Sequence, residues 1–166
     1  MKNINNLLVS QLSFAGEIIK LKYPQGINIS IYFAGTQDGE SGLIKMLDLF
    51  YRGDNIVSSG RAPRIFYPLK DGDAVILDAA RGKVPVFKDV TSAPISKDLS
   101  WVYAYPILDY HNDLIAIICL SGSTREITDE FQKDLYAVAV NLAKNLTIIF
   151  EEANLPGAWK DTLLKL

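Results

Sequence analysis

Ile27-Asn28-Ile29-Ser30-Ile31-Tyr32-Phe33 alternates apolar and polar side chains without a break, which is the period of a half-buried β-strand. Ile27, Ile29, Ile31 and Phe33 fall on one face of it, and Asn28, Ser30 and Tyr32 on the other. Upstream, Ile4, Leu7, Leu8, Gln11, Leu12, Ala15, Ile18 and Ile19 recur at intervals of three and four, the stripe of an amphipathic helix over about residues 3–22. Lys20 and Lys22 sit in its last turn, where cations suit the negative end of the dipole. Pro24 and Gly26 stop it. Downstream, Asp38-Gly39 predicts a turn between Gly35 and Gly42. A second strand follows, about Leu43 to Arg52, its apolar pattern interrupted by Lys45 and Asp48.

Gly53 to Arg64 is polar and reads as a loop, followed by the short apolar run Ile65-Phe66-Tyr67. Asp73 is placed to cap a short helix from Ala74 to Arg81, with Gly82 to close it. Val84-Pro85-Val86-Phe87 predicts a short edge strand, because proline donates nothing to a ladder. Thr91 to Ser100 reads as a loop. Trp101 to Leu108 and Leu114 to Ser121 are strands joined by the turn Asp109 to Asp113, and the second is apolar on both faces, as in a covered central strand. Thr128 caps a long helix of about residues 129–153, whose stripe is Phe131, Leu135, Val138, Leu142, Leu146 and Ile149. The tail 154–166, with Trp159, is compatible with a second short helix.

The strand connections are mostly short, which favours antiparallel pairing. The expected fold is therefore α+β, in one domain over residues 1–166. A central antiparallel sheet of five to six strands carries the N- and C-terminal helices on one face. The short helix and the loops cover the other.

Composition narrows function by exclusion. Seventeen Lys and Arg against 19 Asp and Glu leave a formal net charge of −2, which argues against a broad nucleic-acid or anionic-membrane footprint. The lone Cys119 precludes an intrachain disulfide and an all-cysteine metal site, and the lone His111 leaves little for histidine chemistry. Leu114 to Leu120 is the longest apolar run, at seven residues, whereas a membrane span needs about 20. No signal-peptide pattern follows Met1. The expectation is a cytoplasmic protein without cofactor, metal, nucleic-acid or membrane partner.

The layout resembles the GAF domain, a small-molecule sensor fold related to PAS. Ala79-Ala80-Arg81-Gly82-Lys83-Val84-Pro85-Val86-Phe87-Lys88-Asp89-Val90 resembles the family's helix end, glycine, apolar-Pro-apolar strand and aspartate. Tyr103-Ala104-Tyr105-Pro106-Ile107 is similar to the strand before its hairpin, and Leu114 to Leu120 to the partner strand, with Ala116 where glycine is common. Thr128-Asp129-Glu130-Phe131, with Leu135, Ala139 and Ala143, is similar to the closing helix. The resemblance spans about Leu7 to Ala153. It implies a pocket between the sheet and its cover, or a dimerisation module. The subtypes depart on particular residues. Ser121-Gly122-Ser123 replaces the Asn-Lys of cyclic-nucleotide binders. The cover has no cysteine for a bilin, one cysteine cannot form the disulfide of the free-methionine-sulfoxide reductases, and His111 falls at a hairpin tip rather than at a haem.

The candidate ligand-binding residues follow. Trp101, Tyr103 and Tyr105 share a face by period two, and Tyr32 is placed on the same side, so that aromatic rings with polar tips line the pocket. The alternative for these rings is ordinary core packing. Arg64, with Arg61, Lys97 and Asp98 in the covering loops, would suit an anion, or be solvated loop charge. Ser58-Ser59-Gly60 offers backbone donors. Asp89 matches a position often acidic in the family and binds ligand or caps a loop. His111 between Asp109 and Asp113 reads as a solvated turn residue, and Cys119 as a buried thiol. Off-stripe apolar residues, Val9, Phe14 and Ile18 on the first helix and Ala137, Val140, Thr147 and Ile148 on the last, point to a homodimer through the terminal helices. The expectation is a non-catalytic sensory or regulatory domain that binds an unidentified small molecule. The alternative is a ligand-free dimerisation or docking module.

Overall fold

The computed structural model describes residues 2–22, 27–37, 40–52, 55–58, 65–66, 75–90, 99–123 and 127–152. Helix α1 spans Lys2–Lys22, followed by strands β1 (Ile27–Gln37), β2 (Glu40–Arg52), β3 (Asn55–Ser58) and β4 (Ile65–Phe66). Helix α2 (Val75–Gly82), strands β5 (Val86–Asp89), β6 (Trp101–Leu108) and β7 (Leu114–Gly122), and helix α3 (Asp129–Glu152) complete the order. The strands form one antiparallel sheet in the order β3-β2-β1-β7-β6-β5, with β4 also pairing β2.

Seven strands pair among the described residues, against the five to six expected. The additional one is β3, in a stretch that reads as loop. It returns along the end of β2 with Arg52 opposite Asn55 and Leu49 opposite Ser58, and Ile56 and Val57 supply β-branched side chains suited to a strand. The edge strand begins at Val86 rather than Val84, placing Pro85 just outside the ladder, where its missing N–H costs nothing. At the end of α2 the left-handed position belongs to Lys83 (φ 53°), not to Gly82. Its N–H donates to the Ala79 carbonyl at 2.9 Å, and its Nζ donates to the Asn112 carbonyl at 2.7 Å, so a long side chain rather than a glycine fixes this end to the β6–β7 turn. In that turn Asn112 is also left-handed (φ 65°), and Asp109 Oδ1 accepts from the N–H groups of His111 and Asp113. His111 is exposed there, as a turn residue.

The two faces of the sheet carry separate cores. Ile29, Ile31, Phe33, Trp101, Tyr103, Ile107, Ala116, Ile118 and Leu120 pack beneath the stripes of α1 and α3. Tyr32, Val102, Ala104, Ile117 and Cys119 pack beneath Val75, Ile76, Leu77, Ala79 and Ala80 of α2. The terminal helices thus share one face and α2 holds the other. Trp101 meets Phe131 edge-on at 5.1 Å between centroids, and Phe33 meets Phe150 at 5.4 Å, geometries worth about 0.5–1.5 kcal/mol each beyond area burial. Lys22 Nζ reaches both Glu130 (2.8 Å) and Asp134 (2.9 Å), and Asn145 Nδ2 donates to Gln11 Oε1 at 3.0 Å. These contacts set α1 antiparallel to α3. The turn at Asp38-Gly39, the Asp73 cap and the tail 154–166 lie outside the described residues.

Candidate functional site

The pleat turns Asn28, Ser30 and Tyr32 away from the terminal helices and toward α2. Residues directly opposite one another in an antiparallel pair share a face. Asn28 lies opposite Ser121, Ser30 opposite Cys119 and Tyr32 opposite Ile117, and Ser121 and Cys119 lie opposite Val102 and Ala104 in turn. The α2 side of the sheet is therefore divided. Among the described side chains, its half under α2 is apolar apart from the Tyr32 hydroxyl and the Cys119 thiol. Its other half carries a row of small polar side chains, Asn28, Ser30 and Ser121.

That row is buried. Ser30 is 3% and Ser121 6% exposed, and Asn28 Oδ1 is shielded from water with no hydrogen-bond partner. Leaving a buried acceptor unpaired costs about 1–3 kcal/mol, so an interior that keeps one has a vacant hydrogen-bonding position to offer. In backbone register, β2 sets Asp48 opposite Ser30, Phe50 opposite Asn28 and, beyond a bulge, Lys45 opposite Tyr32. Among the described side chains, two hydroxyls, an amide and a phenol offer groups suited to holding a polar molecule by hydrogen bonds.

The expected aromatic pocket is not assembled. Tyr32 faces α2, whereas Trp101 and Tyr103 lie under α1 and α3, and half-buried Tyr105 packs against the same helix-side core. The reason is register: Tyr103 stands opposite Leu120, which stands opposite Ile29, so the odd-numbered β6 residues share the side of the odd-numbered β1 residues. Periodicity gave the grouping within β6 correctly but not its side relative to β1. Tyr103 is in contact with Phe87 (6.4 Å between centroids) and Tyr105 with Tyr136 (6.1 Å). Burial pushes the Tyr103 and Tyr105 phenols up, with neighbouring tyrosines adding to it, so both remain neutral hydroxyls. Asp89 is exposed at the end of the edge strand, opposite Trp101 in register. Arg64, Arg61, Ser59-Gly60, Lys97 and Asp98 lie outside the described residues, as does the side chain of Val9.

A second feature lies on the outer surface of the helix pair. A groove of about 480 Å³ runs between α1 and α3, walled by Phe14, Ile18 and Val138 with Lys22, Asn141 and Lys144 along it. Phe14 is 65% and Ile18 44% exposed. Among the described residues no group of three His, Cys, Asp or Glu is placed to hold a metal, and no helix is long and apolar enough to cross a membrane.

The architecture is a GAF-like fold. A type II free methionine-R-sulfoxide reductase from Thermoplasma acidophilum superposes with a TM-score of 0.56 at 17% identity, covering 87% of this chain and 94% of that one. The GAF domain region of a putative membrane protein from Geobacter sulfurreducens gives 0.55 at 14% identity, over 88% and 99%. The GAF domain of a two-component sensor histidine kinase from Bacillus halodurans gives 0.51 at 14%, over 95% and 97%. No family model and no curated protein matches the sequence.

One expectation is overturned by these likenesses. The sequence reads as that of a non-enzyme, with no redox cysteine pair, metal cluster or catalytic triad visible in it, yet a reductase carries the same fold along most of the chain. The scarcity of cysteine and histidine therefore does not exclude catalysis. The residues that sequence reasoning missed are Ser30, Ser121 and Asn28. Their signal was present, since three polar side chains alternate through the best strand, and a strand covered on both sides has no solvent to put them in.

Proposed function

We propose that the chain is a sensory or regulatory domain that binds a small molecule between the sheet and the α2-containing cover, with Asn28, Ser30, Tyr32 and Ser121 as the floor. The observation that carries this reading is the shielded, unpartnered Asn28 Oδ1 beside the buried Ser30 and Ser121. Two of the neighbours in fold are GAF domains, one of them from a sensor histidine kinase, which supports a regulatory role. Native mass spectrometry of protein purified from its own cells is the direct test. A retained mass that disappears in Ser121→Phe, which fills the row, is the expected result; a bare protein mass in both, with no mass regained on incubation with a cell extract, overturns it. The same protein is assayed for turnover of free methionine-R-sulfoxide with a thiol reductant, the reaction named for the Thermoplasma neighbour. Turnover would make the floor an active site.

A second reading rests on a different observation. Phe14, Ile18 and Ile148 are exposed on the outer face of the terminal helices, beyond what the sheet needs. This supports a homodimer through α1 and α3, the surface on which a binding event would be read by a partner subunit.

A further inference from the structure

We infer that the outer surface of the helix pair receives a second copy of this chain with the two α1 helices parallel and in register, so that each Gln11 meets the other across the two-fold axis. The inference rests on the reading of α1 and α3 as a homodimer face, and adds which helix is central and which way the copies run. On α1, Leu7, Gln11, Phe14, Ile18 and Leu21 recur at alternating intervals of four and three, the spacing of the a and d positions of a helix-to-helix seam. This seam is separate from Leu12, Ala15 and Ile19, which are buried in the core under the terminal helices. Its apolar members are open to solvent, Leu7 by 49% and Leu21 by 87%. A helix that serves only its own core carries one stripe; α1 carries two.

The α3 side of the groove is polar, with Asp134, Asn141, Lys144 and Asn145 along it, so α1 takes the centre of the contact and α3 its rim. Two observations set the direction. Gln11 is the one polar member of the seam, held in place by the hydrogen bond from Asn145 Nδ2 at 3.0 Å. An antiparallel pairing sets it against an apolar member of the other seam and desolvates an amide for nothing. A parallel pairing sets it against its own copy, where two amides satisfy each other's donor and acceptor whichever way each is turned. The second observation is charge. Glu17 lies about 140° around α1 from Lys22, the residue that reaches α3, and so flanks the seam on its free side. Lys144 lies about 100° around α3 from Asn145, on the flank away from α1, and both Glu17 and Lys144 are exposed. A two-fold axis along the helices brings the free flank of one α1 against the other copy's α3, and Glu17 faces Lys144 of the partner subunit. An axis across the helices instead sets the two free flanks, Ser10 and Glu17 on each, against one another.

Cross-linking separates the two directions. The full-length Leu7→Cys and Leu21→Cys chains are oxidised mildly with glutathione and read on a non-reducing gel, beside the wild type with its buried Cys119. Each variant is expected to form a disulfide-linked dimer, because in the parallel arrangement both positions face their own copies. No antiparallel pairing brings both onto their own copies, since they stand about 20 Å apart along the helix. A charge exchange tests the Gln11 level independently. Gln11→Lys and Gln11→Glu are each expected to weaken dimerisation about tenfold or more in sedimentation equilibrium, like charges meeting on the axis, and their equimolar mixture is expected to restore it. If the wild type sediments as a dimer, linkage at neither or only one site, or a charge effect that the mixture does not reverse, overturns the inference and leaves the homodimer reading standing. A wild-type monomer at all concentrations removes both. A monomer that dimerises once residues 154–166 are deleted puts the chain's own tail on the seam, and overturns the inference as well.

Discussion

Tyr103 is 5% exposed and its hydroxyl has no partner. A buried hydroxyl left unpaired is a net cost of about 1–3 kcal/mol, and phenylalanine keeps the ring without it. Tyr103→Phe is therefore expected to be neutral or to stabilise by about 1 kcal/mol in urea unfolding; a loss of 2 kcal/mol or more, on the order of a broken buried hydrogen bond, would contradict it. The sign of the pH effect follows from the same burial. The folded-state phenol titrates above its unfolded value of about 10, so the stability tied to its neutral form is complete below that pH and declines as pH rises beyond it. Tyr103→Phe should flatten the alkaline limb of the stability profile; an unchanged limb would point to other groups. Nothing in the sequence marked this residue as an orphan, because its side chain could have faced either layer.

At the scale of elements, α3 is held at both its start and its flank. Thr128 Oγ1 accepts from the Phe131 N–H at 3.1 Å, an N-cap beside the ring that closes on Trp101. Thr128→Ala is expected to cost about 1 kcal/mol, and Thr128→Ser or Thr128→Asp to restore most of it. Equal stability of the alanine and serine variants in chemical denaturation would remove the cap from the account. Lys22 joins α1 to the same turn through Glu130 and Asp134, but all three are at the surface, where ion pairs are weak and screened. Lys22→Ala should lower Tm slightly in dilute buffer and not at all in 1 M salt. The long elements were legible because their apolar periods run for many residues: α1, α3, β6 and β7 lie where their patterns place them, whereas β1 runs on from Phe33 to Gln37 and β2 begins at Glu40, both inside the stretch from Gly35 to Gly42 that reads as a turn. β3 was not legible, since a four-residue strand beside serines, a glycine and an arginine carries too few side chains to show a period. Helix α2 does end at Gly82, but the left-handed residue that closes it is Lys83, whose side chain gains a carbonyl partner that a glycine could not reach.

For the whole molecule, the open question of assembly rests on the outer face of the α1–α3 pair. If Phe14 and Ile18 form the centre of a two-fold contact, each is buried twice in the dimer, and a charge at either place is desolvated against its own copy. Wild-type protein is expected to sediment as a concentration-dependent dimer and Phe14→Asp as a monomer with unaltered circular dichroism. A wild-type monomer at all concentrations would end the dimer reading.

The candidate floor was half visible at this scale. Asn28, Ser30 and Tyr32 were seen to share a face, and only Tyr32 was singled out, because aromatic rings drew the assignment toward Trp101, Tyr103 and Tyr105. By itself the sequence determined the local periods, the ends of the long helices, the pairing of short-linked strands and the α+β class, all properties of neighbours along the chain. Which side of the sheet each strand face joins was decided only in the tertiary structure. Register between β1, β7 and β6 sets that relation, and it arises from strands far apart in the chain, whose pairing no local pattern encodes. One register placed the aromatic row under the terminal helices and left Asn28, Ser30 and Ser121 together on the other side.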